Sequence, residues 1–224
     1  MRESCLLYYI TDRTAFAVGE AARQRYLLQK IGEAARAGLD YVQLREKELS
    51  TRELESLTRE SVAILAKLRT ENRQLRTKLL INSRTDVALA LGADGVHLRS
   101  DDIAPQQVKN IWPCGPGITA RGSPQTPLIG VSCHSPKQVA QAEANGASFA
   151  VFGPVFEKKD LPDQRPAGLT ELRQVSNGEI PVLALGGVTL ANAKQCLDAG
   201  AAGIAAIRLF QENDMATVVA QLRR

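Results

Sequence analysis

LGADGVHLR, residues 91–99, decides how the rest of the chain is read. A helix-favouring stretch ends at Gly92, and a short apolar, β-branched run follows at once. A glycine just past a helix supplies the left-handed cap that lets the chain turn back into a strand. The same arrangement recurs in AGLDYVQLR (37–45), NGASFAVFG (145–153) and AGAAGIAAI (199–207). The capping glycines are Gly38, Gly92, Gly146 and Gly200, each 54 residues after the one before. A period of two strand–helix units, repeated four times, is what a closed barrel of paired units shows. It sets Arg45, Arg99, Gly153 and Ile207 at matching heights on alternate strands, where one layer of barrel side chains originates.

Outward from these repeats, short apolar runs alternate with longer amphipathic ones. Strands are predicted at 5–12, 41–46, 78–83, 95–99, 128–133, 148–155, 181–187 and 203–210, with helical patterns between them and after the last. Alternation of this kind argues for a parallel sheet. The chain has 224 residues, enough for eight such pairs in one domain. The prediction is therefore a single-domain (β/α)8 TIM barrel over 1–224. An open doubly wound sheet is the alternative, but it wants GxGxxG after the first strand, and that motif is missing. The Pro- and Gly-rich stretch 113–127 joins a helix to a strand, so a barrel puts it at the face away from the chemistry. A tolerated loop is one reading and a homo-oligomer contact the other.

Composition narrows the function. Aromatic residues make up 4% and the net charge is +4, with acids interleaved among the bases. That suits anionic substrates and does not make the basic, aromatic-laced stripe of a nucleic-acid binder. Apolar runs are too short to span a bilayer, and the first residues have no signal-peptide core, so a cytoplasmic address is expected. Cys5, Cys114, Cys133 and Cys196 are scattered, which speaks against a zinc site and a disulfide framework.

Barrel enzymes work at the C-terminal ends of their strands. There this chain offers Gln43, Arg45, Glu46 and Lys47, then Asn82, Ser83 and Arg84, then Arg99, Asp101 and Asp102. Ser132, Cys133 and His134 follow, then a polar loop at 157–168, Gly186–Gly187 and Ile207–Arg208. A rim so rich in cations, amides and carboxylates reads as an anion pocket. Gly186–Gly187 after the seventh strand lets backbone N–H groups approach a phosphate, and Arg208 could clamp its oxygens; a surface arginine paired with an acid is the competing reading. Of the two histidines, His97 lies within a strand among apolar residues and reads as structural. His134 stands at the rim and is the acid/base candidate. No GxSxG elbow accompanies Ser132, so a hydrolase triad is not indicated.

Five segments carry a resemblance over nearly the whole chain: YYITD (8–12), YVQLREK (41–47), LLINSRTDVALALGADGVHL (79–98), IGVSCHSPKQVAQAEANGASFAVFGPVF (129–156) and LALGGVTLANAKQCLDAGAAGIAAI (183–207). The sequence resembles the thiamine phosphate synthase/TenI superfamily. For the synthase, the resemblance implies joining of hydroxymethylpyrimidine diphosphate to thiazole phosphate with loss of pyrophosphate, by way of a pyrimidine cation. It implies that Gln43 and Asn82 contact the pyrimidine, Arg45 and Lys47 hold the diphosphate, Asp102 ligates Mg²⁺, and Ser132 lines the site. Gly187 and the turn at Ile207 would take the thiazole phosphate.

Three departures lie on the phosphate side of the pocket. The synthase's Asn-Asp at strand three is Asn82-Ser83 here, so one magnesium carboxylate is missing; Asp101 beside Asp102 is the candidate substitute. Its Thr-x-Thr-Lys after strand six is Glu157, Lys158, Lys159 and Asp160. A small residue after Ile207 is Arg208. TenI-type proteins also lack parts of the diphosphate site. They are thiazole tautomerases, with the histidine matching His134 implied as acid/base, and Phe152, Val155, Phe156 and Glu157 follow their pattern. Three functions stay open within the resemblance: the transferase, which the QLREK residues favour; the metal-free tautomerase; and a binding or regulatory barrel without turnover. On the residues alone a different phosphate-binding barrel enzyme, such as a sugar-phosphate epimerase, also fits, and the QLREK and GVSCHS segments argue against it only by resemblance.

Overall fold

A computed structural model of the chain describes residues 5–112, 126–157 and 165–223. Eight parallel strands close into a barrel in chain order. They are β1 (Leu6–Ile10), β2 (Tyr41–Leu44), β3 (Lys78–Asn82), β4 (Gly95–Leu98), β5 (Leu128–Cys133), β6 (Phe149–Phe152), β7 (Val182–Leu185) and β8 (Gly203–Ala206). Helices alternate with them: α1 (Glu20–Ala37), α2 (Thr51–Glu71), α3 (Thr85–Leu91), α4 (Pro105–Ile111), α5 (Pro136–Ala144), α6 (Gly168–Val175) and α7 (Ala193–Asp198). A short α8 (Arg208–Gln211) and α9 (Met215–Leu222) end the chain. The predicted barrel is the observed one. No helix among the described residues is long and apolar enough to cross a membrane.

All four repeat glycines adopt left-handed backbone, with φ of 82° at Gly38, 68° at Gly92, 77° at Gly146 and 97° at Gly200. The repeat also does something its glycines alone do not reveal. Two residues after three of them, a side chain accepts the N–H of a residue near the start of the preceding strand. Asp40 Oδ2 takes Leu7 N at 2.8 Å, Asp94 Oδ2 takes Leu79 N at 2.9 Å, and Ser148 Oγ takes Ile129 N at 3.0 Å. These pegs satisfy backbone donors at the N-terminal end of the barrel, where an unpaired buried N–H would be costly. Asp94 also pairs with Arg69 at 2.8 Å and Lys78 at 2.9 Å. Burial pushes the Asp94 carboxyl up, but Arg69, the Leu79 N–H and Lys78 outweigh it and hold it below the usual range.

Alternation along each strand splits the apolar residues in two. One set packs the strands against the helices, as with Leu7, Val42, Ile81, Val96, Ile129 and Ile204. The other fills the barrel: Tyr8, Ile10, Leu80, Phe149, Val151, Leu183 and Ala205. Phe149 stacks on Tyr41 with centroids 5.1 Å apart and meets Tyr8 edge-on at 5.5 Å. Gly130 makes room for this filling, because a Cβ there would come within 2.5 Å of the Phe149 ring and 2.8 Å of His97 Nδ1. The interior is a packed core, so the chemistry is confined to the rim.

Two strand ends differ most from the sequence reading, the others by one or two residues. The strand predicted through 210 stops at Ala206, and the chain turns at Ile207 into α8. GIAAIRLF is apolar almost throughout, and apolarity alone does not separate a buried strand from a buried helical turn. The strand predicted through 155 ends at Phe152, where Gly153 and Pro154 interrupt it. Most of the 113–127 loop, and Lys158, Lys159 and Asp160, lie outside the described residues, as does Cys114.

Candidate active site at the C-terminal rim

A continuous chain of polar contacts climbs from inside the barrel to the rim. Gln43, nearly inaccessible on β2, donates Nε2–H to Asn82 Oδ1 at 2.8 Å. Asn82 Nδ2 reaches Ser83 Oγ at 3.3 Å, and Ser83 donates its hydroxyl to Asp102 Oδ2 at 2.7 Å. The Arg99 N–H supplies the same oxygen at 2.8 Å. Ser83 is therefore more than a lost carboxylate: its hydroxyl joins the tips of β3 and β4. Its φ of 58° is the only positive value outside glycine among the described residues, so the backbone is held to that link. Gln43 Oε1 is buried without a hydrogen-bond partner, which marks it as an acceptor awaiting a donor.

A second interior chain runs beside the first. Tyr8 Oη lies 3.1 Å from His97 Nδ1, and His97 Nε2 lies 2.8 Å from Ser132 Oγ. Burial, reinforced by the Arg45 charge and opposed by Asp102, pushes the His97 imidazole down to about 3. A neutral ring donates through one nitrogen and accepts through the other, so His97 holds Ser132 in place without carrying charge.

Above these polar residues the rim is cationic. The Lys47 ammonium is pushed down by Arg45 first, then by burial, then by Arg99, so three positive charges are felt together. Arg99 is partly compensated: its Nε lies 3.3 Å from Asp101 and 3.4 Å from Asp102. Asp102 is thus joined to Asn82 and Gln43, while exposed Asp101 meets Arg99 alone and stands outside the chain. Among the described residues no three His, Cys, Asp or Glu side chains converge as metal ligands. A divalent cation at this rim would find a single partly buried carboxylate, Asp102, and would need the rest of its oxygens from elsewhere, a coordination that hard cations accept.

The far side of the mouth is built from backbone. Gly186 and Gly187 both have positive φ, 92° and 67°. A Cβ on Gly187 would lie 2.6 Å from Glu157 O and 2.7 Å from Phe156 Cβ, so β7 can press against the loop after β6 only with glycine there. Asn192 secures this turn by donating to Gly187 O at 3.0 Å. Ile207 caps α8 and exposed Arg208 begins it. His134, exposed after β5, lies 2.6 Å from the Gly153 carbonyl through Nδ1. A carbonyl only accepts, so Nδ1 is the donor in this contact.

Sequence reasoning missed the bracing behind the rim. Thr11, Arg13 and Gln211 are buried and polar, and none stood out as a site residue. Gln211 accepts from Tyr9 Oη at 2.8 Å and donates to Asp12 O at 2.7 Å, tying α8 to the tip of β1. Its signal was present: a glutamine inside the run LFQ, at a position that a continued apolar face would have filled.

A closed parallel barrel with cations and amides converging at its C-terminal mouth defines a barrel enzyme for phosphorylated small molecules. The thiamine monophosphate synthase (TMP-TENI) family model matches residues 7–210, and the chain belongs to that family. It is 38% identical over 207 residues to a putative thiamine-phosphate synthase 2 of Aquifex aeolicus, covering 92% of this chain and 97% of that one. It is 36% identical over 203 residues to a thiamine-phosphate synthase of Clostridium acetobutylicum, covering 90% and 84%. Among solved structures, a thiamine phosphate pyrophosphorylase from Pyrococcus furiosus superposes with a TM-score of 0.75 at 30% identity, covering 99% of this chain and 95% of that one.

Proposed function

We propose that this protein is a thiamine-phosphate synthase that joins hydroxymethylpyrimidine diphosphate to thiazole phosphate. The observation that carries the reading is the Gln43–Asn82 hydrogen bond at the strand tips, with Arg45 and Lys47 following Gln43 directly at the end of β2 and Arg45 the main charge acting on Lys47. The pyrimidine methylene–oxygen bond breaks, pyrophosphate leaves with the electron pair, and the thiazole nitrogen supplies the pair for the new C–N bond. No proton has to move. What the step needs from protein is charge to stabilise the departing pyrophosphate and alignment of the partners. Arg45 and Lys47 supply the charge. Gln43, Asn82 and Ser132 orient the pyrimidine, and Gly186, Gly187, Ile207 and Arg208 receive the thiazole phosphate. Asp102, with Asp101 at greater remove, would hold Mg²⁺ through diphosphate oxygens, and the bound ion would neutralise further leaving-group charge. Substrates of this kind do not cross a bilayer unaided, which supports a cytoplasmic address.

Incubation of the protein with both precursors and Mg²⁺, with mass detection of thiamine phosphate, tests the reading. Product should form, and Arg45→Ala or Lys47→Ala should abolish it. No product at high enzyme and metal overturns it. A second reading is favoured by His134: an imidazole fixed by Gly153 O and presenting Nε2 suits proton transfer on a carboxythiazole phosphate without metal. Full tautomerisation by His134→Ala would remove that alternative.

A further inference from the structure

We infer that Glu46 is a positioning residue for the anion-binding cations: its buried carboxylate braces the end of β2 against the tip of β1, fixing the backbone from which Arg45 and Lys47 project. The inference rests on the proposed function for its significance and on local geometry for its content. Glu46 is 5% exposed and lies between the two cations in sequence, yet it pairs with neither. Two residues past the end of β2, its carboxylate turns to the segment that follows β1. There it accepts the Thr11 hydroxyl through Oε1 and the Arg13 N–H, at 2.9 Å, through Oε2. Thr11 Oγ1 in turn accepts the Arg45 N–H at 3.0 Å. The Arg13 guanidinium closes the brace beyond Lys47, meeting Glu48 at 2.7 Å and Glu20.

The cations need such a brace. Arg45 and Lys47 repel each other, with Arg99 adding to the repulsion, until an anion arrives. Side chains free to separate would have to be gathered at each binding event, and that ordering would be subtracted from affinity. A backbone stitched through Glu46 and Thr11 is ordered beforehand. The carboxylate stays buried although Asp12 and Glu48 lie nearby; burial chiefly pushes it up to about 7, and the bonds from Thr11 and Arg13 hold it down. Such a position is poor for stability, and it fits a role in holding the site together.

The test measures inorganic pyrophosphate binding, in the presence of Mg²⁺, by calorimetry on the full chain. Wild type, Glu46→Ala, Glu46→Gln, Thr11→Val and the Thr11→Val/Glu46→Gln double variant are compared, with melting temperatures recorded alongside. Glu46→Ala should weaken binding about tenfold, and Glu46→Gln less, because its amide can still satisfy one of the two partners. In the Thr11→Val background, Glu46→Gln should add little, since the path to Arg45 is already cut. Wild-type affinity in the Glu46 variants overturns the inference, as do effects of Glu46→Gln and Thr11→Val that simply multiply. A merely structural Glu46 would lower melting temperatures and leave the affinity of the folded protein unchanged. If Glu46→Ala does not fold, the near-isosteric pair carries the test. Pyrophosphate binding by a wild type that makes no thiamine phosphate would remove the proposed reaction and leave the brace to be judged by its variants.

Discussion

His97→Gln should flatten the acid sensitivity of this barrel. The imidazole sits between Tyr8 and Ser132 with no room for solvent, and burial pushes it from 6.5 down to about 3. Between those values the unfolded chain binds a proton that the folded protein refuses, so this group favours unfolding increasingly as pH falls from 6.5 towards 3. From pH 7 to pH 5 that is worth about 2 kcal/mol for one imidazole, at 1.36 kcal/mol per pH unit. Glu46 works in the opposite direction. Its folded value of about 7 exceeds its ordinary 4.5, so the native state binds the extra proton in that window and loses stability as pH rises through it. The variant retains Glu46, and subtraction removes its contribution. The assay is urea unfolding at pH 5, 6 and 7 for wild type and His97→Gln. The difference in unfolding free energy between the two proteins should shift by about 2 kcal/mol across the range, whatever the variant costs at pH 7. Parallel pH profiles would refute the assignment of a neutral, buried His97.

Ser83→Asp puts a second carboxylate beside Asp102. Without Mg²⁺ it should lower the melting temperature by roughly 2–4 °C, about 1 kcal/mol, and Mg²⁺ should restore it, as followed by calorimetric scans with and without metal. Asp94→Ala removes the partner of Leu79 N, Arg69 and Lys78 at the barrel's other end. It should cost about 3 kcal/mol in urea titrations and leave thiamine phosphate formation per folded molecule unchanged. Ser148→Ala, which loses one neutral peg, should cost about 1 kcal/mol in the same titration. Gly187→Ala forces a Cβ to 2.7 Å from that of Phe156 at a φ of 67°, and should raise the KM for thiazole phosphate in steady-state assays while destabilising by about 1–3 kcal/mol.

The barrel was legible because its evidence is local and periodic. Left-handed caps need glycine, strands need apolar alternation, and the 54-residue spacing repeats both. The site was legible in part, because strand ends can be located and the residues on them read off. The links between strands were not. Nothing near Ser83 in sequence announces Asp102, nineteen residues on, as the acceptor of its hydroxyl, nor does Thr11 point to Glu46. Such pairs depend on register between neighbouring strands, which alternation leaves undetermined. The end of β8 was misplaced for a related reason: Leu209 and Phe210 are buried as fully as strand residues, though they lie in a helical turn.

The seam between first and last strands sets the order of events during synthesis. β1 pairs with β8, the Tyr9 hydroxyl and the Asp12 peptide await Gln211, and Arg223 reaches back to Gly38 O and Asp40. A nascent chain that has not yet released its last strand and helices therefore carries an open sheet edge on β1, next to the segment that steadies Arg45. The ribosome must deliver β8 and α8 before the pocket exists, and stalling or truncation ahead of β8 would leave a sticky, inactive sheet in place of a slightly shortened enzyme.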